Sequence, residues 1–188
     1  MPRQPRADVP AGYYHVTTRG NRNEAVFLDD VDRTWFLTLL TRLAARESWQ
    51  CLAYCLMTSH YHLVLTVPND SLPRGMRWLN GLYAQAFNAR HDRRGHLFGG
   101  RYRLSYIESE RHLAEACRYV VCNPVRAGLC DHPGEWVWSS YRASAGVEPA
   151  AGCLALSELR SLFGSADEYV ALVDEVLLEK KGQTPFGV

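Results

Sequence analysis

The period of the apolar positions changes several times along the first 125 residues, and each change marks an element. Tyr13-Tyr14-His15-Val16-Thr17-Thr18 is rich in β-formers and ends at Arg19-Gly20-Asn21, a turn signal, which predicts a first strand. Asp29-Asp30 can cap a helix in which Val31, Trp35 and Leu39, and Phe36, Leu40 and Leu43, recur at helical spacing. Gln50 to Met57 predicts a second strand, Thr58-Ser59 a tight connection, and His60 to Val67 a third strand. Two strands joined so closely must pair antiparallel. Pro68-Asn69-Asp70 breaks the pattern, and Leu79, Leu82, Tyr83, Ala86 and Phe87 mark a second long helix. Residues 95–100 read as loop, Arg101 to Glu108 as a fourth strand, and a third helix runs from about Glu110 until Pro124 interrupts it.

The order strand, helix, strand, strand, helix, strand predicts an α+β fold. It is a ferredoxin-like, RRM-like split βαβ sandwich with helices on one face of an antiparallel sheet. In that topology the third strand is central. The remainder, with Trp136-Val137-Trp138 and an amphipathic stretch from Leu156 to Leu178, predicts a helical C-terminal extension. The expected division is a domain over residues 1–145 and an extension over 146–188.

Composition narrows the class without fixing the function. The chain has 188 residues, 47% of them hydrophobic, and no apolar run of membrane-spanning length. The opening MPRQPRADVPAG lacks the apolar centre of a secretory signal, so the expectation is a cytoplasmic protein with no membrane partner. Six cysteines at 51, 55, 117, 122, 130 and 153 form no CxxC pair, which argues against a zinc ribbon and for small core residues. Net charge is only +1, yet it is unevenly spread. Residues 72–128 carry ten arginines against four acids, net +6, while residues 129–188 carry four bases against nine acids, net −5. Nineteen of the 21 basic residues are arginine, whose forked guanidinium suits phosphate oxygens. A polyanion partner fits this pattern, and so does a coding bias toward arginine.

The third strand opens with His60-Tyr61-His62. Alternation puts both imidazoles on one face with Cβ atoms roughly 6.5–7 Å apart, a span that suits one shared metal ion. Two hydrogen-bonded structural histidines would give the same pattern. On the third helix Tyr119 and Asn123 are four residues apart, hence neighbours on one face, beside the apolar stripe of Leu113, Ala116, Cys117 and Val120. A packing tyrosine and a plain helix stop before Pro124 would look alike.

Several blocks together carry a resemblance. Residues 13–27 (YYHVTTRGNRNEAVF), His60-Tyr61-His62, 96–102 (HLFGGRY), 119–128 (YVVCNPVRAG) and 138–141 (WSSY) resemble the REP-associated tyrosine transposases, among the single-tyrosine HUH nucleases. The likeness spans about residues 9–142. It implies a DNA strand transferase in which Tyr119 is the catalytic nucleophile and His60, His62 and Asn123 hold a divalent metal, although related transposases often carry glutamine where Asn123 stands. It also implies single-stranded hairpin or palindromic DNA as substrate, a 5′-phosphotyrosine intermediate, and a monomer or a homodimer exchanging tyrosine helices. Nitrogen and oxygen donors without thiolate suit Mg²⁺ or Mn²⁺. Arg19, Arg22, Arg101, Arg103, Arg118 and Arg126 are the expected DNA-binding residues, forming one basic groove near the site; the opposing reading is that they solvate the surface or pair with Glu108, Glu110 and Glu115. Two rival functions are a zinc hydrolase built on the histidine pair and an RRM-like binding module without catalysis.

Overall fold

A computed structural model describes residues 9–182. Four strands, β1 (Gly12–Arg19), β2 (Gln50–Leu56), β3 (His60–Val67) and β4 (Arg103–Ile107), form one antiparallel sheet in the order β2-β3-β1-β4. Helix α1 (Asp30–Glu47) joins β1 to β2, and α2 (Leu72–Arg90) joins β3 to β4. This is the expected α+β sandwich, with β3 and β1 central.

The local chemistry at the helix ends agrees with the sequence. Asp29 accepts from the Asp32 backbone N–H at 3.1 Å and caps α1, with Asp30 and Asp32 in the first turn where the helix dipole favours anions. Ser48 closes α1 in the left-handed conformation at φ 56°. Helix α3 (Glu110–Val121) starts at Ser109, whose side chain accepts from the His112 N–H at 3.2 Å.

Alternation along the strands sorts the molecule into two layers. Tyr61, Leu63 and Leu65 of β3 point to the layer of α1 and α2, where Phe36 packs on Tyr61 at 4.5 Å between ring centroids and on Tyr83 at 5.3 Å. Phe27 and Phe87 complete a buried aromatic cluster. The third helix, α3, lies on the opposite face, so its end meets the histidines of β3 rather than the aromatic cluster. The sandwich pair α1 and α2 thus shares one face, and the later helix roofs the other.

Three boundaries differ from the sequence reading. The third helix stops at Val121, and Asn123 opens a separate turn, α4 (Asn123–Arg126), because Pro124 cannot donate back into α3. The amphipathic stretch from residue 156 is two helices, α6 (Leu156–Phe163) and α7 (Ala166–Gly182), parted at Gly164 with φ 76°; α5 (Tyr141–Ser144) precedes them. Trp136 to Ser140 is not helical. Trp138 C=O accepts from Leu56 N–H at 2.9 Å, and Ser140 N–H donates to Tyr54 C=O at 2.9 Å, so this segment covers the outer edge of β2. Ala155 N–H donates to Cys51 C=O at 2.9 Å further along the same edge. Covering an edge strand removes a template for aggregation. Cys153, Leu154, Leu159, Tyr169 and Val173 join the same buried cluster as the strands. All six cysteines are reduced, and among the described residues no helix is long and apolar enough to cross a membrane.

Candidate active site

The register of the central strands builds the site. Thr17 of β1 pairs with His62 of β3, and Arg19 with His60. His15 pairs with Ser105 of β4, and Thr17 with Arg103. Directly paired residues point to one face, so His15, Thr17, His60, His62, Arg103 and Ser105 share the surface under α3.

His60 and His62 lie as the two-residue spacing requires, with ring centroids 5.1 Å apart and planes at 78°. Each has its Nδ1 engaged: Ser59 Oγ is 3.2 Å from Nδ1 of His60, and Thr17 Oγ1 is 3.1 Å from Nδ1 of His62. With Nδ1 occupied on both rings, Nε2 is the nitrogen available to a ligand. Burial, aided by Arg19, pushes the His60 imidazole down to about 4. Burial, with His15, His60 and Arg19 adding like charge, pushes His62 down to about 3. Both rings are therefore neutral at neutral pH, with a lone pair to offer. The residues fit a divalent ion.

Tyr119 stands over this pair. Its ring centroid is 5.8 Å from that of His62 and 5.8 Å from that of His15, edge-on to both. It is 40% exposed on a helix whose inner face is fully buried, so its hydroxyl is free of the core. The Arg126 guanidinium sits 4.9 Å from the Tyr119 ring centroid, a cation–π contact that holds a cation beside the phenol. Asn123 is buried, and its Nδ2 donates to the Tyr119 carbonyl at 3.2 Å, which leaves Oδ1 as its metal-competent atom. Among the described residues Asn123 makes no hydrogen bond to either histidine, so the structure brings it to Tyr119 but does not itself join it to the pair.

A cavity of about 520 Å³ opens beside the tyrosine, lined by His15, Ser105, His112, Arg118, Tyr119 and Arg126 among others. That volume lies in the range of small-ligand sites. Arg118 and Arg126 thus reach the site, and Arg103 shares its sheet face. Arg19 lies across from His60, and Arg22 sits in the following turn in the left-handed conformation at φ 53°. Arg101 departs from the expected single groove. It lines a separate cavity of about 1060 Å³ between α2 and the 95–102 loop, with Arg77, Gln85 and Phe98. The cause is the late start of β4 at Arg103, which leaves Arg101 in the loop. Among the described residues none of the six arginines forms an ion pair, and Glu115 pairs with Arg111 instead at 3.1 Å. Their charge is available to a ligand.

One residue of the site escaped the sequence reading as a member of it. His15 Nε2 is 2.9 Å from His62 Nδ1, and the two rings stack at 5.1 Å. Burial, then the nearby His112, lowers its imidazole below the ordinary value. The available signal was the alternation His15-x-Thr17 in β1, but only the pairing of β1 with β3 places it against His62. No cluster of three or more His, Cys, Asp or Glu side chains among the described residues is placed to hold a metal, which a zinc hydrolase would need.

Comparison with known proteins gives a likeness of fold and a family. The solved structure of a REP-associated tyrosine transposase bound to a REP hairpin is similar over 79% of this chain and 89% of its own, with a TM-score of 0.67 and 16% identity, a likeness of fold. A candidate transposase from Deinococcus radiodurans shows a looser match, TM-score 0.44 and 19% identity over 59% of this chain and 90% of its own. Among curated proteins, none matches the chain. The model of the IS200-like transposases matches residues 8–123, which takes in β1, the histidine pair, Tyr119 and Asn123. The chain belongs to the IS200-like transposase family, DNA-binding enzymes of DNA transposition.

Proposed function

We propose that the chain cleaves and rejoins single-stranded DNA beside a hairpin, with Tyr119 as nucleophile. The carrying observation is the half-exposed Tyr119 phenol, edge-on to His62 and flanked by the Arg126 guanidinium at the mouth of a basic cavity. The Tyr119 oxygen attacks a phosphodiester phosphorus. The bond to the upstream 3′-oxygen breaks, the phenolic proton ends on that oxygen, and the 5′-phosphate stays on the tyrosine. The reverse attack by a 3′-hydroxyl reseals a strand, so the bond energy is retained and no nucleotide cofactor is consumed.

A phenol has a reference pKa near 10, and a phosphodiester repels anions, so the site must supply positive charge. Arg118 and Arg126 hold the phosphate against Tyr119, with Arg103 on the same sheet face, as positioned cations do in phosphoryl transfer. His60 and His62 through Nε2, and Asn123 through Oδ1, would hold Mg²⁺ or Mn²⁺, which when bound supplies Lewis-acid stabilisation of the phosphate and the leaving oxygen. The hairpin-bound relative of like fold supports a hairpin substrate. Arg19, Arg22 and Arg101 are assigned to the flanking DNA, Arg101 through the second cavity. We assign residues 1–145 to the catalytic domain and 146–188 to the extension, of which Cys153, Leu154, Leu159, Tyr169 and Val173 pack into the common core.

The test is Tyr119→Phe with a labelled hairpin oligonucleotide and Mn²⁺. Cleavage is expected to vanish while hairpin binding persists; cleavage at the parent rate would overturn the assignment.

A further inference from the structure

His62 Nδ1, Thr17 Oγ1 and His15 Nε2 form a small triangle, and a metal-ready His62 ring places its proton at the first of these corners. Thr17 Oγ1 lies 3.1 Å from His62 Nδ1 and 3.4 Å from His15 Nε2, and the two ring nitrogens are 2.9 Å apart. Two neutral imidazoles and one hydroxyl bring at most one proton to each corner. For Nε2 of His62 to keep its lone pair, Nδ1 must carry the ring proton and donate it. His15 Nε2, at 2.9 Å, is the nearest acceptor for that proton, and the Thr17 hydroxyl at 3.1 Å is the second neighbour of the same nitrogen.

We propose that His15 is a positioning residue that sets the tautomer of His62 by offering its Nε2 directly to the His62 Nδ1 proton; the proposal rests on the reading of His62 as a metal ligand. A threonine hydroxyl can donate or accept. Alone against His62 Nδ1 it could donate, which puts the ring proton on Nε2 and blocks ligation. His15, protonated at Nδ1, offers Nε2 as a fixed acceptor and removes that choice. The stacked ring, with planes 22° apart, also holds His62 against rotation and backs Tyr119 edge-on. Such partners fix ring orientation at metal sites, and their loss typically weakens metal binding about 10–100-fold.

The experiment uses the full chain labelled with ¹⁵N-histidine and two readouts: the His62 tautomer in metal-free protein, and Mn²⁺ affinity by titration without DNA. The parent is expected to show His62 protonated at Nδ1. His15→Phe keeps a ring of similar size and the stacking but removes the acceptor; it should shift His62 toward the Nε2-protonated form and weaken Mn²⁺ binding about 10–100-fold. His15→Gln, whose amide can again accept, should restore both. Thr17→Val leaves His15 as direct acceptor, so His62 should remain protonated at Nδ1. An unchanged tautomer and unchanged Mn²⁺ affinity in His15→Phe would overturn the proposal. So would a tautomer shift in Thr17→Val, or Mn²⁺ binding lost in both His15 variants with the tautomer intact, which would make His15 a ligand. Should Mn²⁺ bind nowhere while the tautomer still follows His15, the metal reading fails and the positioning role stands.

Discussion

The two faces of one strand divide the labour of this molecule. On β3, Tyr61, Leu63 and Leu65 point into the layer of α1 and α2, where all three are fully buried and Tyr61 packs on Phe36. His60 and His62, one residue away on either side of Tyr61, point under α3 and meet Thr17, His15 and Tyr119. The period of a strand makes this division automatic. The aromatic face fixes where the strand lies, and even Tyr61 is pinned by donating its hydroxyl to Asn80 at 2.5 Å. The polar face then receives two imidazoles at a spacing no loop would hold as firmly. At this end of β3 the packing aromatic faces one side of the sheet and the candidate site the other, while α3 adds its own buried residues Leu113, Cys117 and Val120 on the histidine side.

That division can be broken one face at a time. The largest effect is expected from Tyr119→Phe, which should remove strand cleavage and leave the melting temperature within a degree or two, since the lost hydroxyl lies outside the core. Phe36→Ala should do the reverse. It opens a cavity among Phe27, Tyr61 and Tyr83, costs about 3–5 kcal/mol, and should lower the melting temperature by roughly 10 °C, with cleavage per folded molecule retained. A variant that loses activity and stability together at either position would blur the comparison.

A smaller effect should distinguish the two cavities. Arg118→Glu with Arg126→Glu should weaken hairpin binding about tenfold or more at low salt and flatten its salt dependence, because these arginines share the tyrosine's cavity. Arg101→Glu should weaken binding less and leave cleavage of bound DNA intact, because it faces the other cavity. Equal losses at the two places, measured across a salt series, would restore a single groove.

The smallest effect concerns the entry to α1. Hydrogen bonding to Arg90 holds the Asp29 carboxyl down to about 2. Asp32 is also held below its ordinary value: burial opposes this, but His91, the Leu28 N–H and Arg90 outweigh it. Depressed carboxylates stabilise the fold above their unfolded pKa of about 3.9, and the gain is lost as pH falls toward 2. Arg90→Ala should therefore melt slightly lower than the parent at pH 5, with the gap closing by pH 2. A gap that widens in acid would contradict this sign.

Much of this was legible in the sequence because short periods survive folding. Alternation along β3 put His60 and His62 on one face, and the spacing of Val31 to Leu43 placed α1. What periodicity does not carry is which neighbour a strand meets. His15 and His62 are 47 residues apart, and only the β1–β3 register brings them to 2.9 Å. The helix stop at Pro124 was visible, but the turn that reopens at Asn123 and ties its amide to the Tyr119 carbonyl was not. Arg101 read as strand because its neighbours alternate, yet pairing with β1 begins only at Arg103.

The central claim is that Tyr119 is the nucleophile, and peptide mapping of the covalent DNA adduct tests it most directly. The protein is incubated with a labelled single-stranded hairpin oligonucleotide and Mn²⁺, digested, and the modified peptide sequenced by mass spectrometry. The account predicts a phosphodiester-linked nucleotide on the peptide that contains Tyr119, absent from Tyr119→Phe. An adduct on the peptide of Tyr61, Tyr102 or Tyr106 would contradict it, as would cleavage of the hairpin with no adduct on any tyrosine.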